Sequence, residues 1–195
     1  MYVSVAVMDT GLFRHMDFDT RIAGFADFVG RIKYLYDDNG HGTHVAGIIA
    51  GSGKGSNGKY RGIAPDTFLV SVKVLDKSGN GKIENVVEAA GWIIENKSAM
   101  NIRVVNISFG TRAKMENGPA IETGEDDYAL IMAVEKMWDS GIVVVAAAGN
   151  IGPGNTSVTA PGISKKIITV GAFDDKNFFS GRGPTRECIV KPEVV

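Results

Sequence analysis

An α/β fold in three layers, with a mostly parallel central sheet flanked by helices, is what this sequence predicts. Three observations lead there. Apolar runs of strand length are continuous in Val and Ile, as in strands covered on both faces, and do not alternate with polar residues. Stretches of helical periodicity separate these runs. Polar residues able to carry chemistry fall just past the strands, where parallel sheets collect functional groups: Asp9 after the first run, Ser108 at the end of another, and Asn150 after the apolar run at 143–148.

The elements follow in order. Residues 3–8 read as a short buried strand and 21–28 as a second. Residues 41–51 read as a helix of small residues, with Val45, Ile48 and Ile49 on its apolar side. A β-branched run at 68–75 precedes a helix over 83–96, in which Val86, Val87, Ala90, Ile93 and Ile94 recur at helical spacing. Residues 103–108 are strand-like, 126–139 helix-like, 142–148 strand-like, and 166–171 form a last strand.

Composition narrows the function. A chain of 195 residues with 44% hydrophobic and 22% charged residues fits one globular domain with a sizeable core. A net charge of −1 gives no electrostatic reason to bind nucleic acid or an anionic membrane, and no apolar run approaches a transmembrane span. The single cysteine, Cys188, cannot form an internal disulfide and reads as a small core or surface residue. No basic segment followed by an apolar stretch opens the chain, so no signal peptide is expected in it. The compartment stays open between cytoplasmic and secreted.

Three constellations carry chemistry. In Val5-Ala6-Val7-Met8-Asp9-Thr10-Gly11, a carboxylate ends a buried strand, where it needs hydrogen bonds or an ionic partner. The pattern alone is weak, because it also suits a turn or a helix cap. In Asp38-Asn39-Gly40-His41-Gly42-Thr43-His44-Val45-Ala46-Gly47, a histidine opens a helix whose small residues permit close approach to the sheet. A neutral imidazole there can take a proton from a hydroxyl if a carboxylate fixes its tautomer. In Val143-Val144-Val145-Ala146-Ala147-Ala148-Gly149-Asn150, a side-chain amide past a strand can donate to a developing oxyanion.

In this order the three constellations resemble the subtilases, the family of subtilisin-like serine proteases, and the likeness runs the length of the chain. Asp9 resembles the catalytic aspartate of the D-T/S-G motif, His41 the catalytic histidine of H-G-T-H-V-A-G, and Asn150 the oxyanion asparagine of A-A-G-N. The resemblance implies that Gly79, Asn80 and Gly81 form one substrate-binding edge and that Ser108, Phe109 and Gly110 form the opposite edge. Ala147 and Gly149 would line the floor of the pocket for the P1 side chain, open enough to favour large apolar residues. An extended peptide or protein substrate would add as a β-strand and be cleaved through an acyl-enzyme.

The family's serine lies in a G-T-S-M-A motif that these 195 residues do not contain. Ser157 in Asn155-Thr156-Ser157-Val158-Thr159-Ala160-Pro161 is a superficial match, with Pro161 and Gly162 interrupting any helix after it. The expectation is one incomplete catalytic domain over 1–195, truncated before the serine-bearing helix and inactive alone, with apolar surface through which copies can self-associate. No cofactor is needed for the chemistry. A structural calcium is not supported, because residues 52–60 are glycine-rich and cationic; Asp37 and Asp38 read as a solvated loop. The insertion at 112–126 and the loop pattern resemble bacterial intracellular-type subtilases.

Rival readings are weaker. A metal-binding hydrolase would use His41 and His44, but these are three apart and lack the intervening glutamate of metalloprotease helices; His44 reads instead as a buried structural residue. A nucleotide-binding fold would need phosphate-loop spacing at 51–56, which follows a helix, not a strand. A catalytically dead subtilase acting as a peptide-binding or regulatory module is the third alternative.

Overall fold

The computed structural model describes residues 2–111 and 124–195. The insertion predicted at 112–126 lies outside the described residues as far as 123. The chain folds as two compact units, 1–106 and 107–195.

The first unit contains β1 (Ser4–Asp9), β2 (Ile22–Asp27), α1 (His41–Ala50), β3 (Phe68–Lys73), α2 (Ile83–Asn96) and β4 (Ile102–Ile107), whose last residue opens the second unit. Its strands lie in the order β2-β3-β1-β4. β1 and β2 both run parallel to β3, in a register that sets Asp9 and Asp27 on either side of Lys73. Three charged residues therefore stand abreast at the carboxyl ends of three neighbouring strands. Every residue of β1 is buried, which explains its continuous apolar spelling: both faces are covered.

On one face, Val5, Val7 and Leu69 pack with Leu12, Phe18, Ala46 and Ala50. The buried side of α1 is Gly42, Ala46 and Ala50, whereas Ile48, expected on the apolar side, is 54% exposed. The smallest residues face inward because the helix sits too close to the strands for larger ones. A Cβ on Gly42 would overlap the Gly11 carbonyl oxygen and lie 3.1 Å from Asp9 Cβ. α2 buries Val86, Ala89, Ala90 and Ile93, leaves Val87 41% exposed, and sets Trp92 edge-on to Phe28.

The second unit holds α3 (Glu125–Asp139), β5 (Val143–Ala147) and β6 (Ile168–Val170). β5 and β6 are parallel, with Ala147 opposite Val170. α3 buries Leu130, Ala133, Val134 and Met137, an i, i+3, i+4, i+7 stripe. Its first turn is acidic, suiting the helix dipole, and Asp127 accepts the Gly124 N–H at 3.0 Å. Gly141, at φ 89°, ends it. Among the described residues, no helix is long and apolar enough to cross a membrane.

Candidate active site

Asp9 is wholly buried at the end of β1. Its Oδ1 accepts the Thr10 N–H at 2.8 Å and lies 2.7 Å from His41 Nδ1. Its Oδ2 is buried and has no hydrogen-bond partner among the described residues. The His41 side chain is half exposed. An ionised carboxylate only accepts, so beside it the imidazole proton sits on Nδ1 and the Nε2 lone pair is able to accept a proton.

The turns around this pair hold it in place. Thr10 Oγ1 accepts the Gly42 N–H at 2.9 Å and donates to Asp37 Oδ1 at 2.9 Å. Asp37 also accepts the N–H groups of Asn39, Gly40 and Thr43 and the Thr43 hydroxyl, the last at 2.5 Å. It thereby serves the α1 N-terminus, where the capping position is a glycine without a side chain, Gly40 at φ 100°. Burial pushes the Asp37 carboxyl up, but the Thr43 hydroxyl and the N–H groups of Gly40, Thr43 and Asn39 outweigh it, holding the group below the usual carboxylate range.

Lys73 is 1% exposed. Its three ammonium protons go to the Thr10 carbonyl at 2.5 Å, Asp38 Oδ1 at 2.6 Å and the Leu75 carbonyl at 2.9 Å. Asp37 is therefore a structural anchor more than the solvated loop residue read from the sequence, whereas Asp38 lies in an exposed loop, as read, and holds Lys73 from there. His44 also differs from expectation: it is exposed, because the inward positions of α1 are taken by Gly42, Ala46 and Ala50.

The first candidate substrate edge is a hairpin. Leu75 pairs with Gly81, and the Asp76 N–H donates to the Asn80 carbonyl at 2.8 Å. Asp76 Oδ1 accepts the N–H groups of Ser78 and Asn80, which hold its carboxyl low. Gly79 is at φ 75°, a conformation that favours glycine. Gly79, Asn80 and Gly81 are all exposed. Asn39 joins this hairpin to the histidine turn: its Nδ2 donates to the Lys77 carbonyl at 3.0 Å and its Oδ1 accepts the His41 N–H at 3.1 Å.

In the second unit, Asn150 is exposed two residues past Ala148, which donates to the Val170 carbonyl at 2.8 Å. Gly110 is exposed, Ser108, Phe109, Ala147 and Gly149 are half-buried, and Gly149 is at φ 92°. Gly110 and Gly149 are brought together by a residue that the sequence did not single out. A Cβ on Gly110 would lie 2.6 Å from Thr159 Oγ1, and one on Gly149 closer still. Thr159 itself is only 4% exposed. Ser157 is buried, its hydroxyl donating to the Gly154 carbonyl at 2.5 Å and accepting the Arg182 N–H at 2.9 Å. Ser180 Oγ accepts the Ala172 N–H at 3.0 Å. Cys188 is exposed.

A family model described as the Subtilase family matches residues 2–195. The chain belongs to the subtilase family. It is 44% identical over 207 residues to the serine protease AprX of Bacillus subtilis (strain 168), an alignment covering 99% of this subtilase and 45% of that protein. It is 38% identical over 174 residues to subtilisin DY of Bacillus licheniformis, covering 88% of this chain and 57% of the other. Among solved structures, a cold-adapted subtilisin-like serine proteinase superposes with a TM-score of 0.75 at 32% identity, covering 93% of this chain and 60% of that one. The fold is therefore the predicted three-layer α/β arrangement. This subtilase spans about half the length, or less, of the curated relatives that it matches.

Proposed function

We propose that this subtilase carries the acid–base and oxyanion-binding parts of a serine endopeptidase that cleaves extended peptides through an acyl-enzyme. The observation supporting this most directly is the 2.7 Å contact between buried Asp9 and the Nδ1 of half-exposed His41. In this reading His41 Nε2 takes the proton of a nucleophilic hydroxyl and returns it to the leaving amine. Asp9 holds the ring and stabilises the imidazolium. Among the described residues, its Oδ2 has no partner and the His41 ring is the one side chain bonded to this carboxylate.

Asn150 donates its amide to the tetrahedral oxyanion, a contribution of about 3 kcal/mol by the measure made on subtilisin. By the same reading, Gly79, Asn80 and Gly81 form one edge for a substrate strand, and Ser108, Phe109 and Gly110 form the other.

The nucleophile is assigned to none of these 195 residues. Ser157 and Ser180 spend their hydroxyls on loop hydrogen bonds, and the serine motif of the family is absent. The isolated chain is accordingly proposed to bind peptides without cleaving them. Its chemistry is acid–base and calls on no metal. The residues near the 52–60 loop fit calcium poorly: Asp17 accepts the Gly55 N–H at 2.7 Å, and Asp19 is paired with Lys54.

The purified chain is tested with a chromogenic peptide and a fluorophosphonate probe, with neither turnover nor labelling expected. Labelling of Ser157 would overturn the assignment. In a polypeptide joining these residues to the serine-bearing segment, His41→Ala should lower kcat by about 10⁶-fold, the size known from subtilisin. Unchanged turnover would refute the role of the pair.

A further inference from the structure

We infer that Thr159 sets the specificity of this subtilase for small P1 side chains. The inference rests on the cleft reading above and replaces the open pocket expected from the sequence. Two backbone segments without side chains, at Gly110 and Gly149, face one another across a single side chain. That side chain is Thr159: its Oγ1 stands where a Cβ on Gly110 would come within 2.6 Å, and a Cβ on Gly149 would also meet its Cγ2 at 3.2 Å. The slot that two glycines would otherwise leave between these segments is therefore occupied. Thr159 is 4% exposed, so almost none of its surface is left for a ligand to cover.

Nor is the side chain free to withdraw. The Thr159 N–H donates to the Ala148 carbonyl at 3.1 Å, and the next carbonyl, of Ala160, accepts the Thr111 N–H at 2.9 Å. The 159–160 backbone is thus stitched to both segments, one residue from each glycine. A β-branched residue has few rotamers with which to swing aside. A P1 side chain entering between the 108–110 and 147–150 segments, at the level of the two glycines, meets the threonine. Phenylalanine or leucine has to displace packed atoms, whereas alanine does not.

The test uses acyl-tripeptide acids that differ only in their last residue: glycine, alanine, leucine or phenylalanine. Binding to the 195-residue chain is read from the amide resonances of Gly110 and Gly149. Wild type should bind the alanine peptide at least about 10-fold tighter than the phenylalanine peptide. Thr159→Gly should abolish or invert that order, and Thr159→Ala, which keeps a Cβ and the same backbone bonds, should move it the same way if the glycine variant folds poorly. Thr159→Val, with the threonine shape but no hydroxyl, should keep the wild-type order, which separates steric exclusion from hydrogen bonding. Equal binding of alanine and phenylalanine peptides by wild type would overturn the inference, as would an unchanged order in the folded Thr159→Gly or Thr159→Ala chain. If no peptide shifts either amide in any variant, the cleft reading itself fails and takes this inference with it.

Discussion

Lys73 Nζ lies 2.5 Å from the carbonyl oxygen of Thr10, so the residue that follows the buried aspartate is gripped by a buried cation from the neighbouring strand. The same ammonium holds Asp38, three residues before His41, and Leu75, which pairs with Gly81 in the hairpin. One side chain thereby joins the aspartate turn, the histidine turn and a candidate substrate edge. The register makes this possible, because Lys73 stands directly opposite Asp9 at the strand ends.

Lys73→Met keeps the length of the side chain and removes its charge and donors. Two carbonyls are then left without this donor, and Asp38 without its cation. The loss should be about 2–3 kcal/mol, below the range for a fully buried ion pair because Asp38 is 41% exposed. Asp38→Asn, which still offers an oxygen to the ammonium, should cost clearly less. Urea unfolding of both variants measures the difference; a Lys73→Met chain as stable as wild type would remove the anchoring role.

Asp9→Asn should leave the backbone near His41 in place and change the imidazole tautomer. The carboxylate can only accept, so it selects a proton on Nδ1; an amide can donate its own N–H to Nδ1 and shift the ring proton to Nε2. Nitrogen-15 shifts of the neutral His41 ring distinguish the two forms directly. Identical tautomer populations in wild type and variant would mean that the 2.7 Å contact does not orient the ring.

Much of this arrangement was legible in the sequence, and the part that was not has a common cause. Asp9 and Asn150 announce themselves because each lies just past an apolar run, and His41 because it opens a helix of small residues inside an unusual local composition. The small residues of α1 likewise foretold close packing, although the inward stripe is 42, 46 and 50, not the larger apolar residues. Lys73 gave no such signal. It interrupts the β-branched run at 68–75 as a lysine turned to solvent would, and only parallel pairing with β1 reveals that it is buried. Asp37 was read with its neighbour as a loop, since nothing local shows that Thr10, 27 residues earlier, donates to it. Thr159 sits in a segment whose local spelling raises only the question of a nucleophile, and its packing against Gly110 is contact between residues far apart in sequence. Local pattern carried the chemistry; long-range contact carried the support.

Acid should weaken the first unit through Asp27 and Asp37. Asp27 is buried, which pushes its carboxyl up, but the N–H groups of Gly30, Ile32 and Val29 and the Tyr36 hydroxyl hold it below its ordinary value. Asp37 is lowered likewise. In both cases the native state binds the proton less readily than the unfolded chain. Their stabilisation is therefore complete above the unfolded carboxylate value of 3.8 and is lost as pH falls through the lower native values. Each group contributes a slope of at most about 1.4 kcal/mol per pH unit in that window, less for the part-exposed Asp37. Urea midpoints recorded from pH 6 to pH 2.5 should drop steeply below pH 4 for wild type and less steeply for Asp27→Asn. Parallel acid limbs would show that Asp27 is not the linked group.

Two glycines in the histidine helix make opposite predictions from the same substitution. At Gly42 an added methyl overlaps the Gly11 carbonyl oxygen, and neither backbone segment can yield, because Thr10 Oγ1 binds the Gly42 N–H and the Leu12 N–H donates to Tyr36. Gly42→Ala should destabilise by about 2–3 kcal/mol and draw His41 away from Asp9. At Gly47 a Cβ meets nothing within 4 Å. Gly47→Ala should therefore stabilise by about 0.5–1 kcal/mol, the ordinary gain of alanine over glycine inside a helix. Thermal or urea unfolding of the two single variants reads the signs, and the His41 tautomer reports whether the ring has moved. If Gly42→Ala were neutral, the close seating of α1 on the β1 turn would be wrong, and with it the reason the helix must begin in small residues.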